Sequence, residues 1–353
     1  MKIFTNCIGP KFAKKRVNIT SRESFLICFT GAFPQEISNR EGKMIRDQFS
    51  LFLEKLRKAS EMGLDTDAIV KAHENENVYF YNDACVKKIL ASEKNIELTT
   101  DFINAALNLL GADRIEHPKL VNPFIPGELG YRNAEPDLLL VNERDENKPR
   151  DRVSIEVQHE GNAIYKDRVV LYVSRLISNM VKKNDPPVLE NLNLISFQFT
   201  DAYPWSVSHN YRHTVQLRNL EQQLYFEKQT ITIVEVSKFF NHADSFANDR
   251  SRLAQWLRAV DTLNRESDYS GFVSDPIFKM LQNEVKLSNF SSRYLMTEDM
   301  KSVDRAMAIF SGKERIVRNM LARNMSPKDV AEIAEIPLFL VLDIKKEMEQ
   351  AEK

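Results

Sequence analysis

From Pro118 to Gln158 the apolar residues fall into short runs separated by turn-forming residues: KLVNPF, PDLLLV and RVSIEVQ. Short apolar runs bounded by Pro, Asn, Asp and charged clusters read as strands, not as helices. One helical stretch follows, NAIYKDRVVLYVSRLISNMV, and then three more strand-like runs, NLISFQF, YRHTVQL and TITIVEV. Helical patterns stand on both sides of this block. Strands broken once by a helix and enclosed by helices call for a mixed sheet with helices against it, an α/β or α+β architecture.

Residues 1–76 read as an N-terminal extension, partly helical. In MIRDQFSLFLEKLRKASEMG the residues Ile45, Phe49, Phe52 and Leu56 keep helical spacing, and Gly63 is a plausible stop. A core over 77–240 opens on two helices. Cys85 with Ile89, and Val86 with Leu90, recur four apart; Phe102, Ala106, Leu109 and Leu110 form a second stripe that ends at Gly111. Residues 241–353 are a helical region with a helix-turn-helix-like hairpin at 313–350. There Ser326 is placed as an N-cap, Pro327 at the first helical position and Asp329 in the first turn, and Pro337 breaks the pattern. The second helix, LFLVLDIKK, is apolar where a DNA-reading helix presents polar groups to base edges, which favours a packing or dimerising hairpin.

Charge excludes one class and leaves another open. Among 353 residues, Lys and Arg number 49 and Asp and Glu 50, so a general nucleic-acid coat is excluded and any such surface is a local patch. The cluster Lys11, Lys14, Lys15 and Arg16 fits either a phosphate contact or a solvated end. No apolar run is long enough to span a bilayer, and the first residues are too polar for an export signal. Cys7, Cys28 and Cys85 are scattered, with no CxxC pair, so neither a disulfide framework nor a zinc knuckle is expected. The expectation is a cytoplasmic protein.

The strands also carry chemistry. Residues two apart on a strand share a face, so Glu156 and Gln158 point one way and Ile155 and Val157 the other. If PDLLLV pairs with RVSIEVQ as a hairpin, Asp137 falls beside Glu156 and Gln158. Two carboxylates so placed repel unless a cation lies between them, which a Mg²⁺ ion would supply. Gln158 could orient a water there but brings no positive charge. The plainer alternative is that Asp137, following Pro136, only starts a turn. His159 points away from this face, and His209 and His213, which flank or lie on a later strand, have no acid close to them in the sequence, so a histidine metal site is not expected. GxSxG is absent.

Pro136–Asp137 followed by EVQ at 156–158 resembles the PD-(D/E)xK nuclease signature. The ordered series NDACVKKILASEKNIELTTDFINAALNLLG, YKDRVVLYVSRLI, ISFQF and YRHTVQL…ITIVEVSKF is similar to the Rpn family of recombination-promoting nucleases and transposase-like proteins, from about residue 80 to 240, with a looser echo at 305–345. The resemblance implies a restriction-endonuclease-like core and Mg²⁺-dependent hydrolysis of DNA phosphodiester bonds, with Mn²⁺ able to substitute. Asp137 and Glu156 would ligate the metal, with the Val157 carbonyl as a further ligand. Gln158 stands where most of the superfamily has lysine. On the following helix Arg168, Tyr172 and Arg175 share a face, either with Arg168 gripping a phosphate and Tyr172 hydrogen-bonding a metal ligand, or with the tyrosine half in the core and the arginines in solvent. Asp83 is either a third acid or, the favoured reading, only a charge at a helix N-terminus, and Glu97 is a weaker candidate for the third acid. The implied partner is DNA, with no membrane and with room for a homodimer; the processes served would be recombination, element mobility or defence. The alternative is a nuclease fold that binds or regulates without turnover.

Overall fold

The computed structural model describes residues 40–125, 134–144, 149–158, 165–181, 184, 186–199, 207–297, 314–334 and 338–351; within these, the side chains at 40–47, 83, 165, 339, 340, 343, 347, 350 and 351 are not described. His159 and the Lys11, Lys14, Lys15 and Arg16 cluster lie outside the described residues. Contacts divide the chain into a unit Glu36–Glu298 and a second one formed by Met1–Gln35 with Asp299–Lys353.

The first unit opens on helices α1 (Arg40–Glu61), α2 (Thr66–Ala72), α3 (Asp83–Leu90) and α4 (Ile96–Leu107). Strands β1 (Pro118–Val121), β2 (Leu138–Asn142) and β3 (Asp151–Gln158) follow, then helix α5 (Tyr165–Ser178) and strands β4 (Asn191–Gln198), β5 (Arg212–Arg218) and β6 (Leu224–Glu235). Helices α6 (Val236–Asn241), α7 (Arg252–Asn264) and α8 (Pro276–Glu284) come next. The six strands make one sheet in the order β1-β2-β3-β4-β6-β5. Pairs β1–β2, β2–β3 and β5–β6 are antiparallel, and β3–β4 and β4–β6 are parallel. The sheet is therefore mixed, and α5 is the crossover that the parallel step from β3 to β4 requires.

Strand alternation divides the core in two. On one face Leu138, Leu140, Val153, Ile155, Ile195 and Phe197 join Ile89, Phe102, Trp256 and Phe278 of α3, α4, α7 and α8. The Phe102 ring lies 4.7 Å from that of Phe197 and 4.9 Å from that of Trp256, so α4 is wedged between β4 and α7. On the opposite face Leu139, Leu192 and Leu194 pack against Val169, Val173 and Leu176 of α5.

The register of the β2–β3 hairpin is fixed at its turn end. Asp151 is buried and pairs with Asn142. Its Oδ2 accepts from Asn142 Nδ2 at 3.0 Å and from Arg144 Nε at 2.6 Å, and its Oδ1 accepts from Asn191 Nδ2 at 2.9 Å. A carboxylate taken out of water is tolerated only with such donors around it. Because a slip of one residue would turn every side chain to the wrong face, this clamp also determines what meets at the far end of the hairpin.

Two local expectations change. The stripe drawn through Leu110 stops earlier: α4 ends at Leu107, Asn108 takes the left-handed conformation at φ 58°, and Leu110 is 73% exposed. Asparagine tolerates that conformation and closes the helix, its N–H reaching back to the carbonyl of Ala105. Strand β6 is longer than TITIVEV, because residues before Gln229, the first partner of β4, still pair with β5.

In the second unit, a helix over 314–322 is followed by α9 (Pro327–Ala334) and α10 (Leu338–Ala351). Val317, Val330, Val341 and Ile344 form its small core. Ser326 caps α9 by accepting from the Asp329 N–H at 3.2 Å. Pro337 lies outside the described residues.

Candidate metal centre

With Leu138 opposite Ile155, the residue before β2 comes level with Glu156. That residue is Asp137. Its Oδ2 accepts from the Val157 N–H at 2.8 Å, so the start of β2 is tied to the last turn of pleat in β3. Its Oδ1 lies 3.0 Å from Lys87 Nζ of α3.

Glu156 stands beside it, 4% exposed, and its Oε1 is buried with no hydrogen-bond partner. Arg168 Nη2 of α5 lies 3.7 Å from Glu156 Oε2 and also donates to Gln158 Oε1. The Arg168 guanidinium sits 6.0 Å from the centre of the Tyr172 ring, one turn along the same helix. Burial pushes the Glu156 carboxyl well above the usual carboxylate range, and the Asp137 charge pushes it further, with Arg168 and Lys87 offsetting part of this. Burial also raises the Tyr172 hydroxyl, with the charge of Glu156 adding to it.

Asp137, Glu156, Gln158, Arg168 and Tyr172 are thus gathered at one end of the hairpin. Arg175 lies in the last turn of α5. Asp83 is the first residue of α3, whose N-cap is Asn82, accepting from the Ala84 N–H; the Asp83 side chain is outside the description. Glu97 is exposed in the first turn of α4. His209 is exposed, and His213 Nε2 lies 3.1 Å from Glu235 Oε2, which also accepts from Lys238 Nζ at 2.6 Å. That buried cluster continues the row of Gln158, Gln198 and Glu235, which are partners across β3, β4 and β6.

Sequence reasoning missed Lys87. Helix α3 buries Cys85, Val86, Ile89 and Leu90, and periodicity assigns Lys87 and Lys88 alike to its polar side. Only the packing of α3 against the β2 end of the sheet separates the lysine that meets Asp137 from the one that does not.

Among the described residues no group of three or more His, Cys, Asp and Glu side chains could hold a metal ion. A cation here would rest on two carboxylates and main-chain oxygen. The residues present fit one. Both acids are hard oxygen donors of the kind Mg²⁺ takes, their mutual repulsion is only partly offset by Arg168 and Lys87, and Glu156 Oε1 is a buried acceptor with nothing to accept from.

A mixed sheet with helices on both faces and an acid pair at the end of its central hairpin defines a nuclease-type α/β fold. A protein-family model described as a PD-(D/E)XK nuclease family transposase matches residues 80–312, and the chain belongs to that family. No curated protein and no solved structure matches the chain. Among the described residues no helix is long and apolar enough to cross a membrane.

Proposed function

We propose that this protein is a divalent-metal-dependent endonuclease that hydrolyses phosphodiester bonds in DNA, acting in the cytoplasm in recombination, element mobility or defence. The observation that carries this reading is the buried, unpartnered Oε1 of Glu156 beside Asp137, within a ring of two cationic side chains. Asp137, Glu156 and the Val157 carbonyl would hold the ion. When bound, a divalent ion neutralises phosphate charge and makes a water more acidic.

The rest falls to side chains. Arg168 is aimed at the acid pair from α5 and meets a phosphate with a planar fork of donors. Gln158 anchors that guanidinium through its Oε1 and the Tyr172 ring lies alongside it, so the cation lacking at position 158 is supplied from the neighbouring helix. In the reaction a water oxygen bonds to phosphorus, the bond from phosphorus to the leaving sugar oxygen breaks, and that oxygen takes up a proton.

The test is cleavage of supercoiled and linear DNA by purified protein with Mg²⁺ or Mn²⁺. Asp137→Ala and Glu156→Gln should each slow cleavage by roughly a hundredfold or more, since each removes a group acting in the transition state. Intact DNA with the wild-type protein and both ions, or variants that cut as fast as wild type, would overturn the reading.

A further inference from the structure

Both oxygens of Asp137 already carry a positively polarised partner that an ion would have to share or displace. Oδ2 accepts from the Val157 N–H, and Oδ1 holds the Lys87 ammonium at 3.0 Å. These two partners differ in kind. The N–H belongs to a strand and is fixed by the sheet. The ammonium ends a four-carbon stem, and the Lys87 side chain is 27% exposed, so it can swing.

The two cations also arrive from opposite sides. Helix α3, which carries Lys87, packs on the face that holds Ile155 and Phe197, whereas α5, which carries Arg168, packs on the face that holds Leu139 and Leu194. Lys87 pairs with Asp137, and Arg168 with Glu156 and Gln158. Each positive group thus stands against one of the two acids. A divalent ion taking up both acids leaves this set with excess positive charge, and the anion that completes it is a substrate phosphate.

Resting on the metal reading above, we infer that Lys87 is a catalytic residue that exchanges with the metal. It neutralises Asp137 before the ion enters, is displaced from Oδ1 by it, and then contacts the phosphate under attack. Gln158, being uncharged, cannot do this, and Arg168, whose contacts are to Glu156 and Gln158, meets the phosphate from the other face of the sheet without competing for Asp137. A plain ion pair pinning α3 to β2 would contribute to stability and nothing else.

Full-length wild type, Lys87→Met and Lys87→Arg are titrated with Mn²⁺ alone by calorimetry and assayed for DNA cleavage with Mn²⁺. Removing the competing ammonium should make Lys87→Met bind Mn²⁺ several-fold more tightly, while its cleavage falls roughly a hundredfold and Lys87→Arg recovers part of the rate. Lys87→Gln repeats both measurements should Lys87→Met fail to fold, as judged by its melting. Mn²⁺ affinity unchanged or weaker in Lys87→Met, or cleavage within about twofold of wild type, a change too small to count as lost transition-state stabilisation, overturns the role of Lys87. Wild type that binds no Mn²⁺ removes the metal centre itself, and Lys87 with it.

Discussion

Glu156 is an acid kept from water beside another acid, and its proton has consequences for stability and for metal. Its carboxyl is raised by burial first and by Asp137 second, so the folded protein holds this proton at pH values where the unfolded chain has released it. The contribution is therefore intact below the ordinary carboxylate range and is lost as pH rises through the raised value. Glu156→Gln lacks this titration. Measured without metal, the melting temperature of Glu156→Gln relative to wild type should climb as pH rises through the range; a constant difference would contradict the assignment. A metal ion binds the ionised acid, so it opposes the same loss. At this scale the acids and Gln158 were legible from strand alternation, because a period of two fixes which side chains share a face. Lys87 was not: its partner Asp137 lies just before a strand distant along the chain, and a helix periodicity reports exposure rather than what stands opposite.

The β2–β3 hairpin was readable as an element, and the pairing of Leu138 with Ile155 brings Asp137 level with Glu156. What secures it was not readable. The Asp151 clamp draws donors from the end of β2, from Arg144 two residues beyond it and from the start of β4, and nothing in NERDENKPRD distinguishes that one acid from its charged neighbours. Asp151→Ala should cost about 3 kcal/mol, the scale of breaking a buried charged network from one side, whereas Asp151→Asn keeps part of the hydrogen bonding and should cost less. Urea denaturation of both variants checks this, and equal costs would contradict a charge-dependent clamp. The end of α4 teaches the same lesson in reverse. Gly111 looked like the stop, yet Asn108 serves, since asparagine enters the left-handed region with a small penalty.

For the whole molecule, the sequence resemblance was drawn from about residue 80 to 240, with a looser echo beyond, and the family match runs on to 312. The structure supplies the reason. Helices α7 and α8 complete the core that α4 and the sheet begin, Trp256 and Phe278 lying in one cluster with Phe102 and Phe197. Arg252 ties them further, its Nε donating to Asp101 at 2.8 Å and its Nη1 to Asp275 at 2.5 Å. An amphipathic helix announces that it has an apolar face but not which surface that face covers, so these helices could not be joined to the sheet from their pattern alone. The balanced charge, 49 basic against 50 acidic residues, leaves the proposed chemistry to a local arrangement of groups at the end of one hairpin.

That arrangement is tested most directly by crystals of the protein soaked in Mn²⁺ and measured for anomalous scattering. The account predicts a peak between the Asp137 and Glu156 carboxylates, within bonding distance of an oxygen from each as a hard divalent ion requires, with the Lys87 ammonium moved off Asp137 Oδ1. No peak at that position, with Lys87 still paired to Asp137 at saturating Mn²⁺, would contradict it.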